Sequence, residues 1–192
     1  MLKIAWNRVN DRIQLDEFVL ATVEKRNAYL GGGCFRGVFG KDEVVADYDV
    51  FFRSEIDSAN MRLDLEEAGF ETVFQCPLGL LTTMKKDGIK VQIITEFYYP
   101  TPQSLVETFD LDACFFALYN NVLYTNRRAI RAVRRKHITF NRVDFPVATF
   151  KRIMKYLQKG YTIPNESIDT YVQLIYNKGR SGEELNTRVY ID

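Results

Sequence analysis

Two carboxylates two residues apart, Asp47 and Asp49, interrupt the apolar run Val44-Val45-Ala46-Asp47-Tyr48-Asp49-Val50-Phe51-Phe52. The run has the composition of a buried strand, in which aspartate is disfavoured. Strand side chains alternate faces, so both acids project from the same side. Close carboxylates resist joint ionisation, and a divalent cation removes that conflict. Carboxylates combined with substrate phosphates are the usual way of holding Mg²⁺. Upstream lies the glycine-rich stretch Leu30-Gly31-Gly32-Gly33-Cys34-Phe35-Arg36, and residues 34–46 separate Gly33 from Asp47. Glycines ahead of a short helix over 34–39 allow close backbone approach to a phosphate. Arg36, one turn into that helix, can add a charge-assisted contact. Phosphate cradle (Gly32, Gly33, Arg36) and metal pair (Asp47, Asp49) can then meet on one triphosphate.

The elements that position these groups follow from periodicity and turn chemistry. Apolar spacing predicts an amphipathic helix over 13–29, with the glycines ending it or opening a turn. A strand is expected over 44–52 and a helix over 58–68, stopped at Gly69. Strands follow over 71–75 and 80–84. Asp87-Gly88 turns the chain into an alternating strand over 89–97, on which Gln92 and Glu96 share a face. Thr101-Pro102 reads as an N-cap with proline at the first helical position, for a helix to about 109. The apolar run 111–119 reads as a strand, with a helix as the alternative. Asn120-Asn121 is a hairpin turn, and 122–125 the returning strand. Helices are expected over 127–136, 146–159 and 168–176. Tyr48 should pack on the sheet face opposite the acids. The fold class is α+β: a mixed sheet flanked by helices, with a helical C-terminal third. Three segments are expected: a head over 1–126, a basic helical neck over 127–178 and a polar, mobile tail over 179–192.

Composition bounds the partners. The 192 residues are 46% hydrophobic, with a net charge of only +1. The distribution is uneven. Residues 127–159 hold eleven basic side chains against the single acid Asp144, a local +10 that leaves −9 for the rest. The cluster Arg127, Arg128, Arg131, Arg134 and Arg135 marks a basic face for an anionic partner such as an RNA backbone. Phe140, Phe145, Phe150, Tyr156 and Tyr161 interleave with it at helical spacing, which favours core packing over base stacking. Cys34, Cys76 and Cys114 are odd in number and widely spaced, which points to reduced cysteines in a cytoplasmic protein rather than a disulfide or zinc framework. His137 is the sole histidine and has no ligand set around it. No signal peptide and no membrane-spanning run is apparent, so no membrane partner is expected.

The block from Leu30 to Gly40 followed by Asp47-Tyr48-Asp49-Val50-Phe51-Phe52 resembles the head of the polymerase-β-type nucleotidyltransferases. It is most similar to the branch that holds the CCA-adding tRNA nucleotidyltransferases and bacterial poly(A) polymerases. Weaker similarity extends through Phe109 to Leu118, at the branch's R-R-D-F-x-x-N-A-L segment, and into the neck, covering about Tyr29 to Ile163. The resemblance implies a nucleotidyltransferase fold, an NTP substrate, two Mg²⁺ ions on Asp47 and Asp49, and a tRNA or other RNA acceptor. It also implies a third carboxylate; Glu96, Asp110 and Asp112 are candidates. Asp112 keeps the segment's acid, which in the branch contacts the nucleotide sugar. The chain departs from the pattern at Gly37, Gln92, Asp110-Leu111 and Phe116. Three readings stay open: transfer of NMP to an RNA 3′ end, transfer to a protein or small-molecule hydroxyl, and a catalytically inactive binding module.

Overall fold

A computed structural model describes residues 1–41 and 44–180. Eight strands form one mixed sheet: β1 (Leu2–Ala5), β2 (Tyr29–Gly31), β3 (Tyr48–Phe52), β4 (Glu71–Gln75), β5 (Leu81–Lys86), β6 (Ile89–Tyr98), β7 (Ala117–Tyr119) and β8 (Val122–Thr125). Their spatial order is β1-β8-β7-β2-β3-β6-β5-β4. β3 and β6 run parallel and every other neighbouring pair is antiparallel. The helices are α1 (Glu17–Lys25), α2 (Arg36–Phe39), α3 (Glu55–Glu67), α4 (Pro102–Val106), α5 (Arg127–Arg135), α6 (Pro146–Gln158) and α7 (Asn165–Arg180). The expected α+β class, with its helical C-terminal third, is what the chain adopts.

Local chemistry sets most boundaries. Asp16 caps α1 by accepting from the Val19 N–H at 2.9 Å, so this helix starts four residues after the expected Ile13. Ser54 caps α3, and Thr101 with Ser104 forms a capping box on α4 behind Pro102. Asn126 caps α5, which ends on Lys136 in the left-handed region at φ 50°. Asp87-Gly88 (φ 48° and 84°) and Asn120-Asn121 (φ 47° and 60°) make the two tight hairpin turns.

Three expectations are corrected. Residues 29–31 are a strand, paired on both sides, where a helix end was expected. The strand over 44–52 starts only at Tyr48. Of 111–119 only Ala117–Tyr119 is strand, and a 3-10 turn, Asp112–Cys114, precedes it. The apolarity of that segment reflects packing: Leu111, Ala113 and Phe116 are buried beside α5 and the glycine turn. The last helix runs from Asn165 to Arg180, longer than expected, and residues 181–192 of the expected tail lie outside the described residues.

The core lies under the sheet face opposite the two acids. Tyr48, Val50 and Phe52 point into it, and α3 covers them with Met61 and Leu65. Val50, Phe52, Met61 and Leu65 are fully buried, each contributing about 1.5–3 kcal/mol of transfer free energy. The Tyr48 hydroxyl accepts from the Asp16 N–H at 2.9 Å, which ties the start of α1 to β3. Asp64, 8% exposed, holds α3 to α1 through Lys25 and Arg26 at 2.9 and 2.5 Å.

Candidate functional site

A cleft of about 590 Å³ opens on the other face of the central strands. Its floor is Asp49 and Phe51 of β3 with Asp47 just ahead of that strand, and Gln92, Ile94 and Glu96 along β6. The acids expected to share a face do line one surface, although Asp47 precedes β3 and the register of β6 shifts beyond Ile93. Asp49 pairs in register with Gly31 on one side and Gln92 on the other. The glycine turn lies directly against this acid. Gly32 sits at φ +78°, and a Cβ placed there would stand 3.0 Å from Asp49 Oδ2. Its N–H is anchored to the Phe116 carbonyl at 2.9 Å. Asp47, just before the strand, pairs with Lys90 Nζ at 3.1 Å.

The roof comes from α6. Thr149, Arg152, Lys155 and Tyr156, with Lys159 at the helix end, face the cleft at one-turn spacing. Opposite them the floor carries three acids, so negative and positive walls confront each other. Asp110, in the loop after α4, joins the two halves. It accepts from Thr149 Oγ1 at 2.9 Å, from Arg152 Nη1 at 2.5 Å and from the Leu111 N–H at 2.8 Å. Burial, followed by the Arg36 and Lys155 charges, lowers the Lys159 pKa, and Asp47 opposes this. Burial raises the Cys114 thiol and the Tyr156 phenol, so both are neutral at physiological pH. The lining is also aromatic: Phe51 packs against Tyr99 and Phe109, and Phe97, Tyr98 and Phe145 line the cleft with them.

Of the residues expected from sequence, Asp47, Asp49, Glu96, Gly32, Gly33 and Arg36 all line this cleft. Arg36 reaches it differently from the expectation. Only a 3-10 turn (Gly32–Phe35) and the four-residue α2 follow the glycines, too short to build a helix field. The Arg36 guanidinium folds back over Gly33 and donates to Tyr156. Asp112 does not line the cleft. It is 1% exposed and accepts from Arg128 at 3.0 Å and Thr139 at 2.7 Å, at the junction with α5. Asp110, two residues earlier, is the acid that reaches the cleft.

Arg127, Arg128, Arg131, Arg134 and Arg135 are all exposed along α5, on a ridge that does not line the cleft. Within that ridge Arg128 is engaged by Asp112. The residues missed by sequence reading are Thr149, Arg152, Lys155 and Lys159 as cleft groups. Their spacing along one helix face was the available signal.

Two carboxylates on the floor suit Mg²⁺, a hard cation that takes oxygen ligands. Among the described residues no group of three acids, histidines or cysteines could enclose a metal, so a shell built on Asp47 and Asp49 needs substrate oxygens to complete it. Among the described residues no helix is long and apolar enough to cross a membrane.

The chain is similar in fold to CCA-adding enzymes. One in its apo form superposes with a TM-score of 0.67 at 13% identity, over 95% of this chain and 48% of that one. A CCA-adding enzyme solved with ATP gives 0.66 at 11% identity, over the same shares. The Thermotoga maritima enzyme complexed with tRNA gives 0.63 at 14% identity, over 92% and 46%. At these identities the likeness establishes the nucleotidyltransferase fold. In sequence, the protein "Gabija anti-defense 2" of Bacillus phage SPbetaL7 is 26% identical over 160 residues, 78% of this chain and 37% of that protein. This chain therefore spans less than half the length of these relatives. The profile described as "Gabija anti-defense 2 family protein" matches residues 2–136, more than two thirds of the sequence. The chain belongs to the Gabija anti-defense 2 family.

Proposed function

We propose that this chain is a metal-dependent nucleotidyltransferase that moves a nucleoside monophosphate from an NTP to an acceptor hydroxyl, with an RNA 3′ end as the acceptor. The observation that carries this reading is the apposition of Gly32 and the Asp49 carboxylate, facing a cationic helix across one cleft. Asp47 and Asp49 would hold Mg²⁺ jointly with the triphosphate. Bound by these residues, Mg²⁺ would supply a lowered pKa for the acceptor hydroxyl and charge neutralisation for the leaving pyrophosphate. Lys155, Lys159, Arg152 and Arg36 supply the positive wall for the phosphates. Phe51, Tyr99 and Phe109 offer faces on which a base can stack. Glu96, on the floor beyond Gln92, would take the acceptor's proton. The exposed α5 arginines would hold the RNA backbone outside the cleft. By extension from the phage relative's name, the transfer would act against Gabija defense.

The test is incubation with α-labelled NTPs, Mg²⁺ and RNA. The wild type should label RNA, and Asp47→Asn and Asp49→Asn should lose incorporation with unfolding midpoints close to wild type. Label on protein would replace the RNA acceptor with a protein hydroxyl. Absence of any Mg²⁺-dependent NTP binding would leave only a binding module.

A further inference from the structure

Tyr156 stands where three elements of the cleft meet, and it is only 3% exposed. Its phenol oxygen accepts from Arg36 Nη1 at 2.5 Å and lies 2.9 Å from Cys114 Sγ. Its ring carries two cations: the Arg36 guanidinium at 4.9 Å and the Lys159 ammonium at 5.7 Å from the centroid. Tyr161 packs edge-on against the same ring at 4.9 Å, fixing its plane. A Cβ on Gly33 would stand 2.7 Å from Arg36 Nη1 and 3.6 Å from the Tyr156 hydroxyl, so these groups fill the space beside the glycine turn.

We propose that Tyr156 is a positioning residue. It holds Arg36 of the glycine turn and Lys159 of α6 as a converging cation pair for the terminal phosphates of a polyphosphate. The inference rests on the nucleotidyltransferase reading for the identity of the ligand, but not for the geometry of the pair. Two like charges drawn to one ring repel each other, and the quadrupole of the ring and the phenol oxygen offset that repulsion. An entering polyphosphate would remove the repulsion altogether. The arrangement is thus poised for an anion, with its cations oriented before the anion arrives.

The test uses the full chain and calorimetric titration with inorganic tripolyphosphate and, separately, with adenosine. The wild type should bind tripolyphosphate. Tyr156→Phe keeps the ring and its packing but loses the hydroxyl, and should weaken tripolyphosphate about tenfold, the worth of one hydrogen bond to a charged group. Adenosine binding should not change between them. Lys159→Ala alters a partly exposed helix end and remains informative if Tyr156→Phe folds poorly; it should lose tripolyphosphate affinity to a similar extent. Wild-type affinity in both variants, an equal loss for adenosine and tripolyphosphate, or no tripolyphosphate binding by the wild type would each overturn the proposal. If the tripolyphosphate results hold while no NTP label is transferred, the transferase reading fails alone and the cation pair stands.

Discussion

Gly32→Ala separates the backbone requirement of the glycine turn from its contact with Asp49. Two costs are expected. The residue sits at φ +78°, where a side chain costs about 1–2 kcal/mol. For a chain of this size that lowers the thermal midpoint by about 2–8 °C. The second cost is geometric. The new Cβ would stand 3.0 Å from Asp49 Oδ2, inside the ordinary contact range of about 3.5 Å, so the carboxylate must withdraw by about half an ångström. A 1 Å misplacement of a reacting group costs about a hundredfold in rate, so about a tenfold loss is expected here. Gly79→Ala is the control: it has φ +70° and nothing within 4 Å of a Cβ, so it carries the backbone cost alone. The assays are thermal unfolding and Mg²⁺-dependent NTP incorporation. Both variants should lose midpoint, and only Gly32→Ala should lose incorporation beyond its loss of folded protein. Equal incorporation by the two variants would refute the claim that the turn and the acid work as one site.

Arg152→Ala strands the Asp110 carboxylate, 10% exposed, with only Thr149 and one backbone N–H as partners; urea unfolding should show a loss of about 2 kcal/mol, smaller for Arg152→Lys. Asp64 has its pKa lowered from 3.8 to about 2, first by the Arg26 hydrogen bond. A depressed carboxylate stabilises the fold above its unfolded pKa and loses that effect as pH falls. The stability gap between wild type and Asp64→Asn should therefore be constant near neutrality and close between about pH 4 and pH 2. On α5, replacing Arg127, Arg131 and Arg134 by Gln should leave the unfolding midpoint within about 0.5 kcal/mol of wild type. The same triple variant should lower the slope of log affinity for single-stranded RNA against log salt by about 2, read by filter binding across a salt series.

Signals legible in the sequence were those carried by neighbours in the chain. The N-cap and first-turn proline at Thr101-Pro102, the Asp87-Gly88 and Asn120-Asn121 turns, and the β4 span all act over a few residues, and all appear in the structure. The strands β1 and β2 escaped because three or four residues carry little periodicity, and their partners lie far along the chain, at Val122–Thr125 for one and at Asp49–Phe51 for the other. The site divides in the same way. Asp47, Asp49 and Glu96 were legible as acids within two neighbouring apolar runs, and all three line the cleft. The α6 groups were visible only as a charge run, since which helix face meets the sheet depends on tertiary packing. The same packing decided between Asp110 and Asp112. Both fit a carboxylate role by spacing, but Arg128 and Thr139 draw Asp112 into the α5 junction, while Arg152 holds Asp110 at the cleft.

The division of charge along the chain acquires a physical meaning in this fold. The excess of +10 over 127–159 goes to two surfaces, the α6 wall inside the cleft and the α5 ridge outside it. The cleft floor contributes Asp47, Asp49 and Glu96 from the acidic remainder. Gln92 stands in register with Asp49, where a glutamate would add a third carboxylate to the pair. Its amide leaves the floor less repulsive but also poorer in ligands. On the transferase reading, that economy makes metal and nucleotide dependent on one another. Two protein carboxylates would hold Mg²⁺ weakly until phosphate oxygens completed the shell, and the opposing cations would draw the phosphates in. On that reading the cationic wall and the acidic floor are each incomplete alone, and a metal–triphosphate complex would satisfy both.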